Sequence, residues 1–222
     1  VGCGICVHKC PFKAIHIENL PEELKESVVH QYGKNAFRLF RLPVPKKGRV
    51  VGLLGENGIG KTTALKILSG EIKPNLGRIE KEPDWEEITE IYRGTELYYF
   101  LKNIADGKLR ISVKPQYIDN LSLYEGSVKD FLLENGIDDE LEIGNRKMCE
   151  LSGGELQKVA IFVALKRKAD LYLFDEPSSY LDIKNRIEIA KMIKKISQNS
   201  MVVVVEHDLA VLDFLADIIY IL

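Results

Sequence analysis

The sequence has no long apolar stretch. Its longest unbroken aliphatic run, VVVV at 202–205, falls far short of the roughly 18 apolar residues that a membrane span needs. No basic segment followed by an apolar one leads to a cleavage site, and the chain opens at Val1 rather than methionine, which reads as a fragment whose native start is lost. Net charge is also small: 31 Lys and Arg against 33 Asp and Glu leave −2. No global field then steers the protein toward nucleic acid or anionic lipid, and any polyanion contact has to be a local patch. Cysteine is scarce, four in 222 residues, and three of the four crowd together as Cys3, Cys6 and Cys10. Disulfides between such near neighbours are strained, so the pattern points to a metal and a reducing compartment.

What is present is a chain long enough for one main domain with a small appendage. Pro21 and the charged run 22–25 separate the cysteine-rich start from the rest, placing a boundary near residue 20. Short apolar runs at 50–55, 111–116, 171–176 and 202–207 each end in a polar or glycine-rich step, as buried strands do. Helical spacing lies between them, at 62–68, at 156–165, and in Ile183, Ile187, Ala190 and Ile193. Alternation of this kind predicts an α/β fold with a mainly parallel sheet, whose ligands sit at the carboxyl ends of the strands. Residues 84–106 stand apart as an inserted helical hairpin. Ile88, Ile91 and Tyr92 make one apolar face, and Leu97, Phe100, Leu101 and Ile104 another across Gly94. Its Trp85, Tyr92, Tyr98 and Tyr99 have the composition of a buried stripe or of an RNA-stacking surface.

Residues 55–63, GENGIGKTT, fit G-x-x-x-x-G-K-[ST] between an apolar strand and a helix, the setting that this phosphate-binding loop requires. Asn57, Gly58, Gly60, Lys61, Thr62 and Thr63 are the expected contacts, with the Lys61 ammonium on the β and γ phosphates and the Thr62 hydroxyl on magnesium. Asp175 and Glu176 close the strand LYLFDE, where one carboxylate would hold the metal through water and the other polarise the attacking water. Gln116 and His207 end two further strands and are placed to sense the γ phosphate, Gln116 also as a magnesium ligand. In LSGGELQ at 151–157, Ser152 and Glu155 form a capping box, which alone accounts for both, while Gly153 and Gly154 leave backbone N–H groups for an anion.

Taken in order, the phosphate loop, Gln116, LSGGE, LFDE, the segment SSYLD at 178–182 and His207 resemble the ATP-binding cassette family over about residues 30–222. The resemblance implies a P-loop cassette fold with a helical subdomain at about 117–168, and Mg-ATP as its ligand. It further implies that Ser152, Gly153, Gly154 and Glu155 dock on the ATP of an opposing cassette, that Asp182 crosses the junction, and that Tyr32 or Phe37 stacks on adenine. Cys3-x-x-Cys6-x-x-x-Cys10-Pro11 matches the last three cysteines of a bacterial ferredoxin run. A ferredoxin-like piece at 1–19 ahead of a cassette at 20–222 with an inserted hairpin is similar to the ribosome-recycling ATPases historically called ribonuclease L inhibitors. For a member of that family the partners are the small ribosomal subunit and its rRNA, a release or rescue factor and a second cassette of the same polypeptide, in the cytoplasm and without a membrane. The earlier cysteines and the second cassette are absent. Cluster binding is then expected to be incomplete, and this chain is expected to bind ATP or ADP with little turnover. A zinc site from Cys3, Cys6, His8 and Cys10 is the competing reading of the start, and Cys149 reads as a small buried residue. The rival functions are the motor subunit of a membrane transporter and an electron carrier.

Overall fold

The computed structural model describes residues 28–34, 36–138 and 141–222. Five strands form one parallel sheet: β3 (Val50–Leu54), β4 (Ile111–Lys114), β5 (Leu171–Asp175), β6 (Met201–Val205) and β7 (Ile218–Ile221), in the order β4-β5-β6-β3-β7. A small antiparallel ribbon, β1 (His30–Gln31) and β2 (Arg38–Leu39), precedes them. Every neighbouring pair in the main sheet is parallel, so helices have to return the chain across its faces. Those are α1 (Lys61–Leu68), α2 (Trp85–Ile91), α3 (Glu96–Ala105), α4 (Val128–Glu134), α5 (Gly153–Lys166), α6 (Ile183–Ser197) and α7 (Leu209–Leu215). The α/β fold with a parallel sheet expected from the strand and helix alternation, and the P-loop cassette form that the resemblance implied, are observed.

Alternation along the strands sends side chains to two cores. Val51, Leu53, Leu171, Leu173, Val203 and Val205 pack on one face with α1 and the α2–α3 hairpin. Val50, Tyr172, Phe174, Val202 and Val204 pack on the other with α5, α6 and α7. A third cluster, built from Ile118, Val128, Leu132, Ile137, Met148 and Leu151, closes on Leu156, Val159 and Val163 of α5. Because Ile161 and Ala164 of the same helix enter the second core, α5 joins the outer helices to the sheet.

The hairpin is docked by its apolar faces. Ile88, Leu97, Phe100 and Leu101 are buried, and Trp85, Tyr92 and Ile104 pack against the same core. Burial pushes the Tyr92 phenol up to about 12. Ile91, expected on the same apolar face as Ile88, is instead 55% exposed at the last residue of α2. Tyr99 is exposed and meets Tyr98 edge to face at 5.1 Å between ring centroids. β1, β2, β7 and α7 have no counterpart in the sequence reading.

Candidate functional site

The phosphate loop owes its shape to two conformations that a Cβ opposes. Gly58 has φ 80° and Gly60 φ 103°, and Gly60 is the N-cap of α1. A glycine cap brings no side chain, so none satisfies the first backbone N–H groups of α1, and these carry the positive end of the helix dipole. Phe37 lies so close over Gly60 that a side chain there would collide with its ring. The Lys61 ammonium donates to the carbonyls of Gly55 and Glu56 at 2.7 and 2.8 Å, which sets it along the rim of the loop. Burial lowers the Lys61 pKa, against the opposing pull of Glu176 and Asp175.

The acids come from the neighbouring strand end. Asp175 is buried, and its Oδ2 accepts from the Thr62 hydroxyl at 3.2 Å. Burial raises its pKa, Glu176 adds to the rise, and the Thr62 hydrogen bond, Lys114 and Lys61 oppose it. Glu176 follows with φ 48°, a left-handed conformation that turns its side chain off the strand line. Its Oε1 accepts from Gln116 Nε2 at 2.9 Å and faces His207 Nε2 at 3.2 Å, while its Oε2 accepts from Ser179 Oγ at 3.1 Å. The ends of β3, β4, β5 and β6 thus contribute to one cavity of about 640 Å³. Tyr32, Phe37, Asn57, Gly58, Gly60, Lys61, Thr62, Thr63, Gln116, Asp175, Glu176 and His207 all line it. Tyr32 also places its hydroxyl 3.3 Å from Thr63 Oγ1.

This donor set fits magnesium. A hydroxyl already paired with a carboxylate, beside an amide, supplies the hard oxygen ligands that the ion prefers. Thr62, Asp175 and Gln116 are the residues that would hold it.

The remaining expected residues form a second group. Ser152 caps α5, its Oγ accepting from Glu155 N at 3.4 Å while Glu155 Oε2 accepts from Ser152 N at 2.9 Å. Asp182 caps α6, accepting from Asn185 N at 2.9 Å. Ser152, Gly153 and Asp182 are exposed, and Gly154 and Glu155 are half-buried. Among the described residues, none of these five lines the cavity. Gly154 is closely approached by the Tyr180 carbonyl, which would lie 2.8 Å from a Cβ there.

Cys3, Cys6, His8 and Cys10 lie outside the described residues. Among the described ones no group of three His, Cys, Asp or Glu is set to hold a metal. Cys149 is exposed, a correction to its expected burial, because the short turn Met148–Glu150 buries Met148 instead. Sequence reasoning missed Tyr117 in the cavity wall and three buried polar residues behind it, Lys114, Gln157 and Glu206. A charge inside the apolar run 111–116 was the signal for Lys114, and two acids in the steps that end strands, at 176 and 206, the signal for Glu206.

The family described as ABC transporter matches residues 44–179. Translation initiation factor RLI1 of Saccharomyces cerevisiae is 45% identical over 239 residues, covering 100% of this chain and 39% of the relative. The archaeal ribosome recycling factor aABCE1, solved in complex with the archaeal ribosomal stalk protein aP1, is 45% identical with a TM-score of 0.80, over 89% of this chain and 40% of that one. A structure described as ribosome-bound archaeal Pelota and ABCE1 contains a chain 49% identical with a TM-score of 0.85, covering 100% of this chain and 39% of that one. The chain thus spans about two fifths of the length of the relatives it resembles.

Proposed function

We propose, from the premise that the chain belongs to the ATP-binding cassette family, that it is a Mg-ATP-binding and hydrolysing cassette of a soluble, cytoplasmic twin-cassette ATPase that splits ribosomes into subunits. One observation carries the ATP site: groups from four strand ends converge with an uncapped helix N-terminus in a single cavity. Similarity to a translation factor and to ribosome-associated structures supports the recycling role. Residues 1–19 then belong to a ferredoxin-like iron-sulfur domain, with Cys3, Cys6 and Cys10 as cluster ligands. Residues 20–222 are the cassette, with a hairpin at 84–106 that meets the small subunit and its rRNA and a helical subdomain at about 117–168.

In this assignment the N–H groups of the loop and Lys61 neutralise the triphosphate, and Tyr32 or Phe37 offers a ring to adenine. Magnesium held there would neutralise phosphate oxygens and orient the γ phosphate. Glu176, kept in place by Gln116, His207 and Ser179, accepts a proton from the attacking water. Ser152, Gly153, Gly154 and Glu155 serve the nucleotide of an opposing cassette and Asp182 crosses the junction, so turnover requires two. A release or rescue factor acts before the cassettes close. Calorimetry with Mg-ATP tests the binding site on this chain, and heat at a one-to-one ratio is expected. Nucleotide-dependent cosedimentation of the natural full-length protein with small ribosomal subunits tests the role. Intact ATP binding without such cosedimentation rejects recycling and favours the transporter motor.

A further inference from the structure

A lysine with no exposed surface lies directly behind the acids of the cavity. Lys114 ends β4, and its ammonium donates to the carbonyl of Asp175 at 2.8 Å and to that of Glu176 at 3.3 Å. On the other side Gln157 of α5, also fully buried, donates from Nε2 to the same Glu176 carbonyl at 2.8 Å and to that of Pro177 at 3.1 Å. The Glu176 N–H meanwhile donates to Val205 on β6 at 2.9 Å. Three elements therefore grip the two peptide groups that flank the Glu176 Cα. They do so at a residue with φ 48°, a backbone conformation that a non-glycine residue keeps only where its surroundings hold it.

Burial is the largest influence on the Lys114 ammonium and lowers its pKa to about 8, while three nearby carboxylates oppose that fall. Asp175, Glu176 and Glu206 all face Lys114, and Glu206 is itself committed to the backbone, accepting from Ser178 N at 3.2 Å and His207 N at 3.0 Å. A burial of this kind is otherwise unfavourable for an ammonium, and a lysine chosen only to fill volume is matched by methionine without it. What the ammonium adds is direction, because its donors end on the two carbonyls that set where the next side chains point.

We propose that Lys114 and Gln157 are positioning residues for Glu176, holding its strained peptide so that the carboxylate faces the cavity. Since Gln157 lies on the helix that opens with Ser152 to Glu155, the same grip joins the base of one site to the surface offered to the other. The proposal rests on Glu176 being the base named above.

The test uses steady-state ATP hydrolysis by the natural full-length protein carrying Lys114→Met, Gln157→Leu or Glu176→Gln, singly and combined. Lys114→Met is expected to lower kcat roughly 10- to 100-fold, as misplacement of a reacting group does, with calorimetric Mg-ATP affinity unchanged. Added to Glu176→Gln it is expected to cause no further loss, because the group it positions is gone. Gln157→Leu follows the same pattern with a smaller factor. A parental kcat in Lys114→Met overturns the proposal, and so does a loss of equal size with and without Glu176. If circular dichroism shows that Lys114→Met does not fold, Gln157→Leu decides alone. A loss confined to the Glu176 background supports the proposal, and either no loss or an equal one in both backgrounds overturns it. Failure of the underlying assignment shows separately, as a Glu176→Gln rate equal to the parent's, and takes the proposal with it.

Discussion

Two helices of this molecule begin at glycine-rich turns, and they begin differently. At α1 the cap is Gly60, in a left-handed conformation and without a side chain. At α5 the cap is Ser152, and its hydroxyl and the Glu155 carboxylate satisfy each other's backbone N–H groups. Both ends carry the partial positive charge of a helix N-terminus. One lines a cavity opposite Asp175 and Glu176, and the other presents a self-satisfied cap at the surface. The difference separates a helix end without a side-chain cap that opens on a cavity from one whose cap is satisfied within its own first turn.

The largest effect expected from this contrast is chemical. Glu176→Gln in the natural full-length protein should slow hydrolysis by about 10² to 10⁴ while leaving the heat of Mg-ATP binding. An unchanged rate removes Glu176 as the base beside the uncapped end. Next comes affinity. Lys61→Ala should weaken Mg-ATP binding to this chain by roughly 10- to 100-fold, the range for a lost charged hydrogen bond, whereas Ser152→Ala should leave it alone. Equal losses in isothermal titration would erase the distinction between the two helix ends. The smallest effect is on stability. Ser152→Ala should cost about 1 kcal/mol in urea denaturation, since it removes the cap at α5.

Acid sharpens the same point. Backbone and hydroxyl hydrogen bonds from Ser152, then Arg146, hold the Glu155 carboxyl below its ordinary value of 4.5. A depressed carboxylate contributes stability above its unfolded pKa and loses that contribution as pH falls through the folded one. The parent should therefore lose slightly more stability than Glu155→Gln on going from neutral pH to below 4, and parallel pH profiles would deny the capping box any net contribution.

Much of the site was legible because its signals are local. The loop at 55–63 states its own spacing, and the strand-end acids at 175 and 176 follow an apolar run. Ser152 and Glu155 stand at the interval of a capping box. For Lys114 only the oddity of a charge in an apolar run was legible, and not its role, since its partners are main-chain carbonyls 61 and 62 residues further on. A charged residue within a strand pattern ordinarily points to water, and only the parallel pairing of β4 with β5 turns this one inward. β1 and β2 are two residues each, too short for periodicity, and β7 buries its residues only in part. Ile91 was misplaced for a related reason: helical spacing tells which residues share a face, and nothing about where the underlying layer stops.

The double commitment of α5 has a mechanical meaning. With Ile161 and Ala164 in the sheet's core and Leu156, Val159 and Val163 in the outer cluster, it packs into both at once. The same shaft carries both the exposed Ser152 turn and the Gln157 amide. Any tilt of the outer helices that keeps both sets of contacts therefore also moves the amide that holds the Glu176 carbonyl.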